Sequence, residues 1–190
     1  FIWFSKSVTQ ASNSIVSSAG LIGKLNVPKT LFPMAVVQEG LYRQAAVFCL
    51  LFAVLILNGY TPDLGWLWLI PIVMVQYIVV CACSLVGACL VCLVRDFSIL
   101  ISLGMIFLLF TSGIFWDVRA VGSPAMTEAV LLTNPLAFLV DAYRQVLMVG
   151  TAPAAGHLLS IGSGFAVLGL AMVLLMRRGS QFLALKALTA

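Results

Sequence analysis

Residues 66–94 and 97–116 are two long apolar stretches separated by one charged dipeptide, Arg95-Asp96. A helix needs about 20 apolar residues to cross the hydrocarbon core of a bilayer, and each stretch reaches that length. A two-residue hinge leaves room only for a very tight turn, so the chain re-enters the membrane as soon as it leaves it. Backbone polar groups surrounded by lipid must be bonded within the segment, and a long unbroken run meets that condition as a helix. The fold class that follows is an all-α polytopic membrane protein.

Composition removes the soluble alternatives. Of the 190 residues, 63% are hydrophobic and 8% charged, whereas a soluble domain carries about 25% charged residues. The net charge of +4 comes from basic residues standing singly or in pairs, with no basic patch of the kind nucleic acid requires. Topology accounts for them instead. Five cysteines, Cys49, Cys81, Cys83, Cys89 and Cys92, all lie in apolar runs. On a helix Cys89 and Cys92 share a face, but Cys81 and Cys83 point roughly 200° apart, and no His or carboxylate accompanies them. They read as small packing residues, not as metal ligands.

Along the chain, residues 1–18 begin apolar and turn rich in Ser, Thr, Asn and Gln, as part of a span with a packed or cavity-lining polar face. Residues 19–30 carry Lys24, Pro28 and Lys29 and read as a short amphipathic segment outside the membrane. Spans are expected at 31–58, 65–94, 97–116 and 158–176, with NGYTPDL as a turn after the first of these. Residues 117–157 are mixed. Their apolar patch, 129–140, is broken by Asn134-Pro135; it is too short to span and fits a re-entrant or interfacial hairpin. Residues 177–190 form a tail opening with Arg177-Arg178. Alternating the spans places Lys24, Lys29, Arg95, Arg177, Arg178 and Lys186 on one side and Arg119 and Arg144 on the other. That asymmetry makes the first side cytoplasmic.

Signals of covalent chemistry are absent from the sequence: it has no GxxxxGK[ST], no HExxH and no GxSxG. The single His157 has no Cys or carboxylate in register and reads as a surface histidine. Glu39 and Arg43, spaced i, i+4, share a helical face. They are either a mutually neutralising pair or a polar patch that gates a path or meets a partner. Trp3, Phe4, Phe115 and Trp116 are either part of an interfacial aromatic belt or a surface on which the apolar faces of sugar rings slide. Ser160, Gly164 and Ala171 share one face of the last span, and Gly162 and Gly169 another, as close helix packing uses small residues.

Three segments carry a family resemblance. SSAGLIGKLNVPKTLFPMAVV resembles the stretch after the second span of ABC transporter permeases of the polysaccharide (O-antigen, capsule, teichoic acid) exporter family. VRDFSILISLGMIFLLFTSGIFWDV is similar to the family's "RD" turn and following span, and LLTNPLAFLVDAYRQVLMVG to its outer "NPL...YR" helices. The resemblance implies a six-span exporter-permease fold with outer re-entrant helices, of which the N-terminal helix and first span are absent from this chain. It further implies a homodimer in the bacterial inner membrane, paired with ABC ATP-binding subunits that carry ATP and Mg, exporting a lipid-linked glycan.

The chain itself is then a transport subunit without a cofactor. Carried over by position, Leu21, Ile22, Lys24 and Lys29 would couple to the ATPase, and Arg95 and Asp96 would form the second cytoplasmic turn. Trp3, Phe4, Phe115 and Trp116 would line the substrate path. Asn134, Pro135, Tyr143 and Arg144 would form the external gate. Gly113 stands where the family has Pro, which implies a softer kink. The alternatives are a related permease for drugs or small lipophiles, and a channel or scaffold not driven by ATP.

Overall fold

In a computed structural model of the chain, the described residues are 1–18, 20, 28–60, 64–121 and 123–179. Among them the regular elements are all helical: α1 (Ile2–Ser17), α2 (Leu31–Leu57), α3 (Leu69–Leu93), α4 (Phe97–Thr111), α5 (Pro124–Thr133), α6 (Pro135–Arg144) and α7 (Ala155–Arg178). Short 3-10 turns at Leu64–Trp68 and Val118–Val121 lead into α3 and α5, and a π turn at Gln145–Val149 follows α6. α2, α7 and the run Gly65–Leu93 are long and apolar enough to cross a membrane.

The turn at Arg95-Asp96 is as tight as the spacing predicts. Val94 adopts extended backbone, then Phe97 N–H returns to the Val94 carbonyl at 3.2 Å and Ser98 N–H to that of Arg95 at 3.0 Å.

Side-chain pairings fix the helix directions. Trp3 stacks on Tyr77 and Ser12 abuts Gly87, so α1 and α3 run the same way. Gly162 meets Val75 and Gly169 meets Ala82, so α7 runs with them, its Gly162/Gly169 face allowing the close approach. α2 runs oppositely, with Gln38 bonded to Tyr77 and Phe52 stacked on Trp66. α4 returns past α3, where Ile101 reaches Gly87. These directions gather the end of α1, the start of α2, the Arg95-Asp96 turn and Arg177-Arg178 at one end of the bundle.

α3 is the central helix. Val75, Val79, Val80 and Leu85 pack with Val8, Ala11 and Ile15 of α1, all buried. The polar face of α1 is packed, and its hydroxyls bond to its own backbone: Ser12 Oγ donates to the Val8 carbonyl and Ser14 Oγ to that of Ala11, both at 2.6 Å. That satisfies each donor without water. By contrast, α2 buries only Pro33 and Val37, and α4 buries no residue. Their apolar flanks, such as Leu50 and Phe107, are exposed, as expected of surfaces facing lipid or another chain.

One span differs from expectation. The apolar run to residue 116 predicts a full crossing, but α4 stops at Thr111 after 15 residues. At 1.5 Å per residue it is about 22 Å long, short of the ~30 Å hydrocarbon core. Ser112 Oγ turns back to the Leu108 carbonyl, and Gly113 takes φ +68°, the left-handed region that glycine enters without strain. Trp116 Nε1 then donates to the Phe110 carbonyl at 2.8 Å. The helix therefore ends at this glycine and does not bend through it.

Candidate functional site

The end of the bundle opposite the Arg95-Asp96 turn, which the charge asymmetry predicts to face outward, is built around a sharp bend of 114° between α5 and the run of α6 with its π turn. Asn134 makes the bend. Its Oδ1 accepts from Leu136 N–H (3.0 Å) and Ala137 N–H (3.3 Å), capping α6, while Pro135 occupies the first helical position, where no backbone donor is needed. Asn134 Nδ2 donates to the Thr111 carbonyl at 3.3 Å, tying the bend to the end of α4. At the far end of α6, Arg144 donates to the carbonyls of Ile114 (3.2 Å) and Trp116 (3.3 Å), holding the reversal after α4. Tyr143 Oη donates to Gln76 Oε1 at 2.6 Å. Gln76 lies seven residues into α3, about 10 Å along its axis, so the hairpin dips into the bundle.

Sequence reasoning missed the ion pair that braces this hairpin. Arg119 presents a fork to Asp141, Nε to Oδ1 and Nη2 to Oδ2, both at 2.9 Å. Asp141 is 3% exposed and also accepts from Gln145 Nε2 at 2.6 Å. The hydrogen bonds to Asp141 hold the Arg119 guanidinium above its already high ordinary pKa, so it stays charged. The signal available was a lone carboxylate in the apolar run of α6. Its partner lies 22 residues away, beyond any helical spacing.

His157 is not a free surface histidine. Its Nε2 lies 3.1 Å from the Leu131 carbonyl and its ring sits edge-on to Phe138 at 4.5 Å, pinning α5 and α6 to the first turn of α7. Between these elements opens a cavity of about 580 Å³, lined among others by Arg119, Thr127, Glu128, Phe138, Gln145 and His157.

The residues read as a substrate path do not assemble as one group. Phe115 is exposed beside Phe110, and Trp116 adjoins the Arg144 guanidinium. Phe4, however, belongs to the core, and Trp3 is 5% exposed, stacked on Tyr77. Both rings are therefore largely packed inside the bundle. Glu39 and Arg43 do pair, on an outward-facing side of α2. At the opposite end, Leu21, Ile22 and Lys24 lie outside the described residues. Lys29 is buried just before α2, and Arg95 and Asp96 are exposed in their turn. Among the described residues, no three His, Cys, Asp or Glu side chains converge to hold a metal.

Comparison with known proteins fits this architecture. The sequence profile of the ABC-2 type transporter family matches residues 8–148, from α1 through the outer hairpin. Two O-antigen export system permease proteins RfbA of Klebsiella pneumoniae are similar to the chain, one 29% identical over 150 residues and the other 28% over 151. Each alignment covers 78% of this chain and 57% of the relative, so the chain spans little more than half the length of these curated relatives. With the family profile matching most of its length and an all-helical, span-forming fold, the chain belongs to the ABC-2 type transporter family as a membrane-embedded permease.

Proposed function

We propose that this chain is the membrane subunit of an ATP-driven exporter that moves lipid-linked polysaccharide outward across the bacterial inner membrane. The observation that carries this reading is the similarity to O-antigen export permeases over 150 residues, which includes the Arg95-Asp96 turn and the outer hairpin. The permease performs no covalent chemistry. ATP and Mg belong to a separate ABC ATP-binding subunit, and two copies of the permease form the path.

In the cycle, closure of the ATPase pushes on residues 21–31 and on the exposed Arg95-Asp96 turn. Because α1 precedes that segment and packs along α3, the push shifts both helices. The outer hairpin, tied to the end of α4 by Asn134 and to the segment after it by Arg144, moves with them and opens the exit past Phe115 and Trp116. A partner drives such a shift only through contacts that differ between two states.

Purification of the full-length protein from native membranes in mild detergent, with mass spectrometry of stoichiometric partners, is expected to recover a P-loop ATPase at about one per permease; this count follows the two-plus-two assembly proposed here. Its absence, while a control complex survives, would turn the reading to a channel or scaffold. The double substitution Lys24→Glu and Lys29→Glu is expected to lower export at least about tenfold, on the order of 1.4 kcal/mol of lost coupling, with membrane abundance unchanged. Export at the wild-type rate would remove residues 21–31 from the coupling role.

A further inference from the structure

A second polar site lies in a cleft of about 160 Å³ between α1 and α2. Lys6, Ser7 and Gln10 line it from α1, and Arg43 and Gln44 from α2. Lys6 stands 11 residues before the end of α1, and Arg43 stands 12 after the start of α2. At 1.5 Å per residue both lie about 16–18 Å from the cytoplasmic end, near the middle of a ~30 Å core.

Charges at that depth must be paired or hydrated. Arg43 has Glu39, whereas Lys6 makes no ion pair or hydrogen bond among the described residues. One positive charge is left over. No other carboxylate of the described residues is at hand: Asp96 sits in the cytoplasmic turn, and Asp117, Glu128 and Asp141 belong to the outer region. A second copy of this chain would bring the same surplus.

The cleft also holds an unmet donor. Trp3 is 5% exposed and lines the cleft, and its buried Nε1–H has no partner. It lies beside Gly40, where an added Cβ would sit 3.2 Å from Nε1 and would overlap Ser7 Oγ. A buried donor without an acceptor costs about 1–3 kcal/mol and is rare in a folded chain.

We propose that this cleft binds a phosphate group borne on a lipid. The donors that line the cleft suit that chemistry: an ammonium, a guanidinium that can meet two oxygens at once and two carboxamides match a group with several oxygen acceptors and at least one negative charge. The volume suits one or two phosphate groups. The apolar flank of α2, open at Val47 and Leu50, leaves room for an acyl or isoprenoid tail. The site rests on the membrane placement of α1 and α2 and not on the export reading, so an export assay and a lipid titration can fail separately.

The test is native mass spectrometry of the full-length protein in detergent, titrated with phosphatidic acid, a polyprenyl monophosphate, phosphatidylcholine or inorganic phosphate. The first two are expected to be retained and phosphatidylcholine to be lost. Lys6→Gln, which removes no ion pair or hydrogen bond among the described residues, should weaken retention at least about tenfold, and Lys6→Arg should restore it. Tenfold preference for the polyprenyl lipid would identify a carrier-lipid site, and equal retention a membrane-phospholipid site. Displacement by inorganic phosphate would show that the anion alone provides the affinity. No retention of either phosphate lipid, equal retention of phosphatidylcholine, or retention unchanged by Lys6→Gln would overturn the proposal.

Discussion

Arg119→Ala is expected to destabilise the outer hairpin by about 2–3 kcal/mol, because it strands a buried carboxylate. The Asp141 side chain is 4% exposed and would keep only its bond from Gln145. Breaking a fully buried pair costs roughly 3–5 kcal/mol. The Arg119 side chain is 55% exposed, so water screens part of the interaction and the expectation falls below that range. The effect should appear as a lower midpoint of thermal unfolding in detergent and as faster protease cleavage between α4 and α6. A size-matched neutral side chain supplies the control. Asp141→Asn added to Arg119→Ala removes the stranded charge and should recover a large part of the loss. If the double substitution unfolds as early as Arg119→Ala alone, the damage comes from lost packing of the arginine stem and not from the carboxylate. Because Asp141 lies in the same helix as Tyr143 and Arg144, the single substitution should also slow transport through the exit.

That ion pair marks the limit of what the sequence made legible. The turn at Arg95-Asp96 was readable because hydropathy alone forces it: two apolar runs cannot share a membrane without a break between them. The bend at Asn134-Pro135 was readable because a helix cap and a proline in sequence carry a local mechanism. The pairing of Glu39 with Arg43 follows from helical spacing. Arg119 and Asp141 offer no such handle, since they meet only once the hairpin has folded against the Val118–Val121 turn. The early stop of α4 was hidden for another reason. Hydropathy continues through Ile114, Phe115 and Trp116, and it does not register that Gly113 takes a left-handed backbone. The burial of Trp3 and Phe4 was not legible because an aromatic residue has the same hydropathy on a packed face as on an open one. Only the position of α3 decides which face of α1 is covered.

The second large effect is expected at Gly87, where three helices converge. A Cβ added there would overlap Ser12 Oγ, lie 3.2 Å from Ser12 Cβ and touch Ile101 Cδ1 at 3.4 Å. Rotating the Ser12 hydroxyl away relieves the first overlap but gives up its bond to the Val8 carbonyl, and it leaves the Cβ–Cβ approach unchanged. Ser12 is fully buried, so α1 itself must retreat from α3. Gly87→Ala should therefore cost about 1–3 kcal/mol, and Gly87→Val more than that, as overpacking of a tight interface does. Ser12→Gly combined with Gly87→Ala restores the missing space from the other side and should regain most of the stability of the parent protein. Thermal unfolding of the purified protein reads the cost, and a cysteine crosslink between α1 and α3 reads the separation. The functional consequence follows from connectivity. α1 leads directly toward residues 19–30, so a helix displaced from α3 can no longer pass movement of that segment to the bundle. Gly87→Ala should lower export by more than it lowers the amount of protein in the membrane. Equal losses in export and abundance would mean that the α1–α3 contact holds the fold without transmitting the stroke.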